Sequence, residues 1–204
     1  MAVMARSTYH HGDLRRALLT EAREVARSAG PDAVTLREVA RRLDVSPAAI
    51  YRHFPDRDAL LGEVAASARL ALARRMLDEV ERVDERDVRI RAIRRFLAIG
   101  RGYIRFAEEE PHLLVTAFLP IQPQQDGPED PNPWQLLAAA LDELVATGAM
   151  PPERRGGAET VAWSAVHGFA TLRAGRAFEV SGEPAPDSEA LLDAIARSLE
   201  VRAI

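Results

Sequence analysis

Between residues 35 and 55 two helix-start signals stand eleven residues apart, a spacing that fits two short helices joined by a tight turn. Thr35-Leu36-Arg37-Glu38 reads as a capping box, in which the Thr35 hydroxyl and the Glu38 carboxylate satisfy backbone donors at a helix start. Val39, Ala40 and Leu43 continue its buried face. Ser46-Pro47 is the second start, with serine as N-cap and proline at the first helical position, where a missing N–H costs nothing. Only Asp44-Val45-Ser46 remain for the turn. The product is a helix-turn-helix over about residues 35–54, a motif whose second helix enters the major groove in its DNA-binding versions. Val45 and Ile50 face inward, and Phe54-Pro55-Asp56 closes the unit.

The flanking segments carry the same helical period. From Asp13 to Ala29 the apolar residues Leu14, Leu18, Ala22, Val25, Ala26 and Ala29 recur at spacings of three and four, and Gly30-Pro31 ends the run. Asp56 caps a long helix to about Val83 whose Leu60, Leu61, Val64 and Ala68 lock onto the first three. Further helices are expected at about 87–109, from Pro111, at 133–147 behind the Asn132-Pro133 cap, at 154–178 and at 188–202. The proline-rich stretch from Pro120 to Pro133 reads as a loop. No period-2 segment emerges, so the expected fold is all-α with about nine helices. The expected boundary lies at 57/58, with an N-terminal arm and the helix-turn-helix in residues 1–57 and a linker helix with a larger helical domain in residues 58–204.

A formal net charge of −4 argues against a nucleic-acid binder only if charge is spread evenly, and it is not. Residues 1–57 hold 10 Arg against 7 acids, a balance of +3, whereas residues 58–204 hold 17 against 24, a balance of −7. The absence of cysteine excludes disulfides, thiol catalysis and cysteine-ligated metals. There is no uncharged apolar run of roughly 18 residues and no apolar leader, which points to a cytoplasmic protein with no membrane partner. No nucleophile elbow, phosphate loop or zinc-protease motif stands in the sequence, so neither catalytic nor metal-binding residues nor a cofactor are expected.

The run from Thr35 to Leu60, with Tyr51, His53, Phe54 and Arg57 in register, closely resembles the signature of the TetR (AcrR-like) family. It departs at Asp44 and Ala48, where glycine is usual or common, and at Arg57, where lysine is usual; Asp tolerates the left-handed turn conformation better than most residues. Trp163, His167 and Gly168 resemble the Trp-His-Gly motif of one TetR C-terminal domain type. The resemblance implies a homodimer on a two-fold, double-stranded operator and a small-molecule effector pocket in the larger domain. It points to a repressor released by an apolar or aromatic ligand. The competing readings are a helical protein-interaction module that has lost DNA binding, and a small helical enzyme.

On that basis the DNA-contacting residues are Thr35, Arg37, Ser46, Pro47, Ala48, Tyr51, Arg52, His53 and Arg57. Base reading rests on Arg52, since an arginine can bond the O6 and N7 edge of guanine while Ala48 and Pro47 only permit close approach or touch a thymine methyl. Thr35, Tyr51, His53 and Arg57 are the family's phosphate-contacting types; Tyr51 and His53 read alternatively as packing and capping residues. The arm from Arg6 to Gly12 either reaches DNA or is a plain disordered start. The large groups able to line a cavity are Phe96, Tyr103, Phe106, His112, Phe118, Trp134, Trp163, His167 and Phe169. Of these Phe96, Tyr103, Phe106, Trp134, Trp163 and His167 form the candidate ligand set, against the plainer reading of each as core. Gly100 and Gly102 inside a helix mean either close packing or room for a ligand, and Gly168 reads as the approach of a partner helix.

Overall fold

The structure, a computed structural model, describes residues 11–121, 132–180, 182 and 186–203, with backbone alone for 11–13. Most of the N-terminal arm, the greater part of the proline-rich loop and part of the break before residue 186 lie outside the described residues. Every regular element among those described is helical: α1 (His11–Ala29), α2 (Leu36–Arg42), α3 (Pro47–Tyr51), α4 (Arg57–Glu81), α5 (Val88–Glu109), α6 (Pro111–Ala117), α7 (Pro133–Ala146), α8 (Ala158–Ala174), α9 (Ala177–Val180) and α10 (Ser188–Ser198), with short 3-10 turns at Pro31–Ala33 and Pro152–Arg154. The described residues fall into two compact units, 11–68 with 115–121 and 69–114 with 132–203, so that α4 contributes its first half to one and its second half to the other.

In the first unit, helices too short to persist alone are held by burial. An isolated helix of fewer than about 12–15 residues is marginal in water, and α3 has five. Its order comes from Ile50, 1% exposed, which sits in a core of Leu18, Ala22, Val25, Val39, Phe54, Leu60 and Leu61. Fully burying a side chain of this size is worth roughly 1.5–3 kcal/mol. The α2–α3 turn is a Schellman closure: the Val45 amide donates to the Ala40 carbonyl at 3.0 Å and the Asp44 amide to Arg41 at 3.3 Å, with Asp44 left-handed at φ 52°. Asp44 thus adopts the conformation for which glycine is the usual choice.

The caps follow the sequence with two differences. Asp56 Oδ1 accepts from the Ala59 amide at 2.8 Å and Asn132 Oδ1 from Trp134 at 2.9 Å, as their positions suggest. The Thr35 hydroxyl accepts from the Glu38 amide at 3.1 Å, but the Glu38 carboxylate turns to Arg41 and Arg42 instead of completing the box. Ser46 occupies the N-cap of α3 without making a side-chain capping bond.

In the second unit α5 is central, packing on α7, α8 and α10. The segment expected as one helix over 154–178 divides, and this raises the count to ten α-helices among the described residues. Gly157 is left-handed at φ 80° and holds the start of α8 back to Ala158, while a left-handed Arg176, φ 55°, separates α8 from α9. The last helix closes at Ser198. No helix of the described chain is long and apolar enough to cross a membrane.

Candidate nucleic-acid interface and apolar cavity

The first unit presents one face on which the residues singled out for DNA contact are accessible. Ser46, Pro47 and Ala48 are exposed on the first turn of α3, Tyr51 is 52% exposed at its end, and Arg52 follows, exposed. His53 is half-buried at the edge of the core. Thr35 and Arg37 are exposed at the start of α2. Among the described residues neither Arg37 nor Arg52 pairs with a carboxylate, so their full charge is available to an anionic partner. Arg41 and Arg42 differ: both bond Glu38, and their hydrogen bonds hold its carboxyl down at about 2. Arg42 also reaches Glu21 at 3.2 Å.

Arg57, expected among the phosphate contacts, bonds the main chain of its own unit. Its Nε donates to the Val34 carbonyl and its Nη2 to the Pro31 carbonyl, both at 2.8 Å, and Asp32 lies 3.8 Å away. The guanidinium is therefore engaged with the connector between α1 and α2.

The second unit contains a cavity of about 30 Å³ lined by Met76 of α4, Phe96, Ile99, Gly100 and Tyr103 of α5, Leu137 of α7, Ala162, Trp163 and Val166 of α8, and Leu192 and Ile195 of α10. No charged side chain lines it. Of the six ring-bearing residues expected there, Phe96, Tyr103 and Trp163 belong to the wall. Trp134 is 43% exposed and packs on Trp163 from outside, centroids 5.4 Å apart. His167 stands behind Tyr103, its Nδ1 2.6 Å from the phenol oxygen. Phe106 is buried but away from the lining, and Phe169 packs instead on Phe178, centroids 6.0 Å apart. His112 and Phe118 are exposed. Burial pushes the Tyr103 phenol well above its ordinary pKa and lowers that of His167. The Tyr103–His167 hydrogen bond stands behind a wall whose exposed surface is almost wholly apolar.

The aliphatic lining residues, Met76, Ile99, Leu137, Val166, Leu192 and Ile195, were not among the expected set. At helical spacing they read as ordinary core, and no local signal separates a residue facing a void from one facing a neighbour. Gly100 is the exception. A Cβ there would stand 2.3 Å from Leu192 Cδ2, so the glycine both admits Leu192 and opens onto the cavity. Among the described residues no group of three or more His, Asp or Glu side chains is arranged to hold a metal.

Comparison with known proteins agrees with this architecture. The family described as "Bacterial regulatory proteins, tetR family" matches residues 18–64, and "Tetracyclin repressor-like, C-terminal domain" matches residues 96–199. An uncharacterized HTH-type transcriptional regulator of Bacillus subtilis, YobS, is 25% identical over 169 residues, covering 82% of this chain and 83% of the relative. A solved structure from Rhodococcus sp. RHA1, of unknown function, is 30% identical with a TM-score of 0.73, over 96% of this chain and all of that one. BioQ, solved with its double-stranded DNA operator, is 20% identical with a TM-score of 0.53 over 96% of this chain and 100% of its own. With its helix-turn-helix and its larger helical unit both matched, the chain belongs to the TetR family of bacterial regulatory proteins and is a DNA-binding transcriptional regulator.

Proposed function

We propose that this chain is a repressor that binds a two-fold operator as a homodimer and leaves it when a small, uncharged, largely apolar molecule occupies the α4/α5/α7/α8/α10 cavity. The cavity is the observation that carries the ligand response, because side chains from five helices converge there on one apolar hollow. About 30 Å³ is space for a water molecule or two, whereas ligand pockets run to roughly 300–1,000 Å³. A ligand therefore binds a state in which the lining has moved. The flexible Met76 and Leu192, whose end lies against Gly100, are the side chains best able to yield. A charged ligand would lose its hydration without a partner, so the effector is neutral and largely apolar. Met76 lies on the helix whose first turns belong to the DNA-binding unit. A ligand that prefers the expanded packing shifts the population toward it and lowers operator affinity by its differential affinity for the two states.

DNA contact falls to Thr35, Arg37, Ser46, Pro47, Ala48, Tyr51, Arg52 and His53, which share the accessible face of the first unit. Selection from a random duplex library at moderate salt is expected to enrich a two-fold motif. Arg52→Ala should then weaken binding by about 1–3 kcal/mol and relax preference at one base of each half-site. Failure to enrich any motif, or an Arg52→Ala variant with wild-type affinity and preference, would contradict this assignment.

Ligand response has its own test. The chain holds two tryptophans, one in the cavity wall and one packed on it. A bound lipophilic compound should change intrinsic fluorescence and, at a hundred times its Kd, stabilise the fold by about 2.7 kcal/mol. It should also weaken operator binding, and operator DNA should weaken its binding by the same factor. A diverse lipophilic screen that moves neither melting temperature nor operator affinity would remove the sensor from the proposal.

A further inference from the structure

We infer that Arg57 is a positioning residue for DNA binding: it braces the α1–α2 connector from the first residue of α4 and so sets where Thr35 and Arg37 meet the phosphate backbone. The inference rests on the operator-binding reading above. Arginine presents a rigid planar fork of donors, and here two of them fall on two carbonyls of one short segment, Nε on Val34 and Nη2 on Pro31, each at 2.8 Å. Those bonds add to what the segment's own turn and burial supply. The segment comprises a single 3-10 turn after Gly30, whose φ of 84° breaks the helical run of α1, and Val34, which is fully buried. Immediately beyond lies Thr35, the N-cap whose hydroxyl starts α2. Fixing the carbonyls on either side of the turn therefore fixes the entry angle of α2, and with it the exposed side chains of its first turn.

A residue that contacts phosphate and one that braces the backbone differ in what they require. A phosphate contact needs charge, which lysine supplies equally, and its loss removes about one counterion from the salt dependence of binding. The brace needs the fork. A lysine ammonium is a point charge on a flexible stem and a glutamine amide has a single donor group, so neither reproduces two bonds of fixed geometry.

Full-length Arg57→Lys and Arg57→Gln are compared with the wild type on the duplex recovered by selection, over a range of salt concentrations. Both variants are expected to bind on the order of tenfold more weakly, from loss of a charge-assisted hydrogen bond, with the wild-type salt slope. In both, hydrogen exchange at residues 34–38 should accelerate. Wild-type affinity in Arg57→Lys, together with a slope lowered by about one in Arg57→Gln and unchanged exchange at 34–38, would overturn the inference. Should a variant unfold, the wild type suffices: the Arg57 Nε–H in ¹⁵N-arginine-labelled protein should be protected from solvent before DNA is added and unshifted afterwards. A resonance protected only in the complex would place the guanidinium on DNA instead. If the wild-type protein recovers no duplex, the operator-binding reading fails, whereas protection of Nε–H in the free protein can still be read.

Discussion

Gly102→Ala should lower stability by about 2–4 kcal/mol, a far larger effect than the same change two residues earlier. In a solvated helix the substitution would gain about 1 kcal/mol, because alanine loses less backbone entropy than glycine. At Gly102 that gain is overwhelmed. A Cβ there would lie 2.6 Å from the Met76 Cα and 2.8 Å from the Arg75 carbonyl oxygen, so it meets the backbone of α4. Backbone cannot rotate aside, so α4 and α5 must separate where Gly102 meets the Arg75–Met76 main chain, beside the buried Met76 side chain. At Gly100 the opposing atom is the end of the Leu192 side chain, 2.3 Å away, which another rotamer can withdraw. Gly100→Ala should therefore stay within about 1 kcal/mol of the wild type while encroaching on the cavity. For a chain of this length a loss of 1 kcal/mol lowers Tm by roughly 2–4 °C, so calorimetry should place Gly102→Ala about 5–15 °C below both wild type and Gly100→Ala. Equal melting temperatures for the two variants would refute the close crossing of α4 and α5.

How far each feature was legible in the sequence follows from the range of the interactions that determine it. The helix-turn-helix is written in local signals: Thr35 and Ser46 mark the starts, Pro47 fixes the first helical φ, and Asp44 takes the left-handed turn. Each acts within about four residues. The division of the 154–178 segment was less legible, because Gly157 and Gly175 are tolerated inside a helix as well as at its ends, and the left-handed residue proved to be Arg176. For the cavity, the large rings advertise themselves and three of six fall on the wall; the other three are sorted by tertiary placement alone. Arg57 shows the limit most clearly. Its partners are 23 and 26 residues away and are main-chain carbonyls, which every residue possesses. No pattern of side chains could have pointed to them.

The second large effect concerns assembly, and the face that carries it is on α8. Val161, Ala165, Gly168 and Leu172 recur at i, i+4, i+7 and i+11, one stripe of the helix. Val161 is 47% and Leu172 49% exposed, and among the described residues, its own helix backbone and chain neighbours apart, no atom lies within 4 Å of where a Gly168 Cβ would stand. The opposite side of α8, with Ala162, Val166, Phe169 and Ala170, is the one that builds the core. We propose that the open stripe packs against its two-fold mate, with Gly168 at the closest approach. Gly168→Leu and the double change Val161→Glu with Leu172→Glu should both leave the protomer folded, since neither touches its core. Both should abolish the dimer, the first by steric exclusion and the second by burying carboxylates without partners, at several kcal/mol each. A monomer engages one half-site alone, so operator affinity should fall on the order of 10²–10⁴-fold, the usual magnitude of avidity for paired sites. Sedimentation at micromolar concentration reads the assembly and a gel-shift titration reads the affinity. A wild-type protein that sediments as a monomer, or a Gly168→Leu variant that sediments as a dimer, would show that the stripe is not the interface.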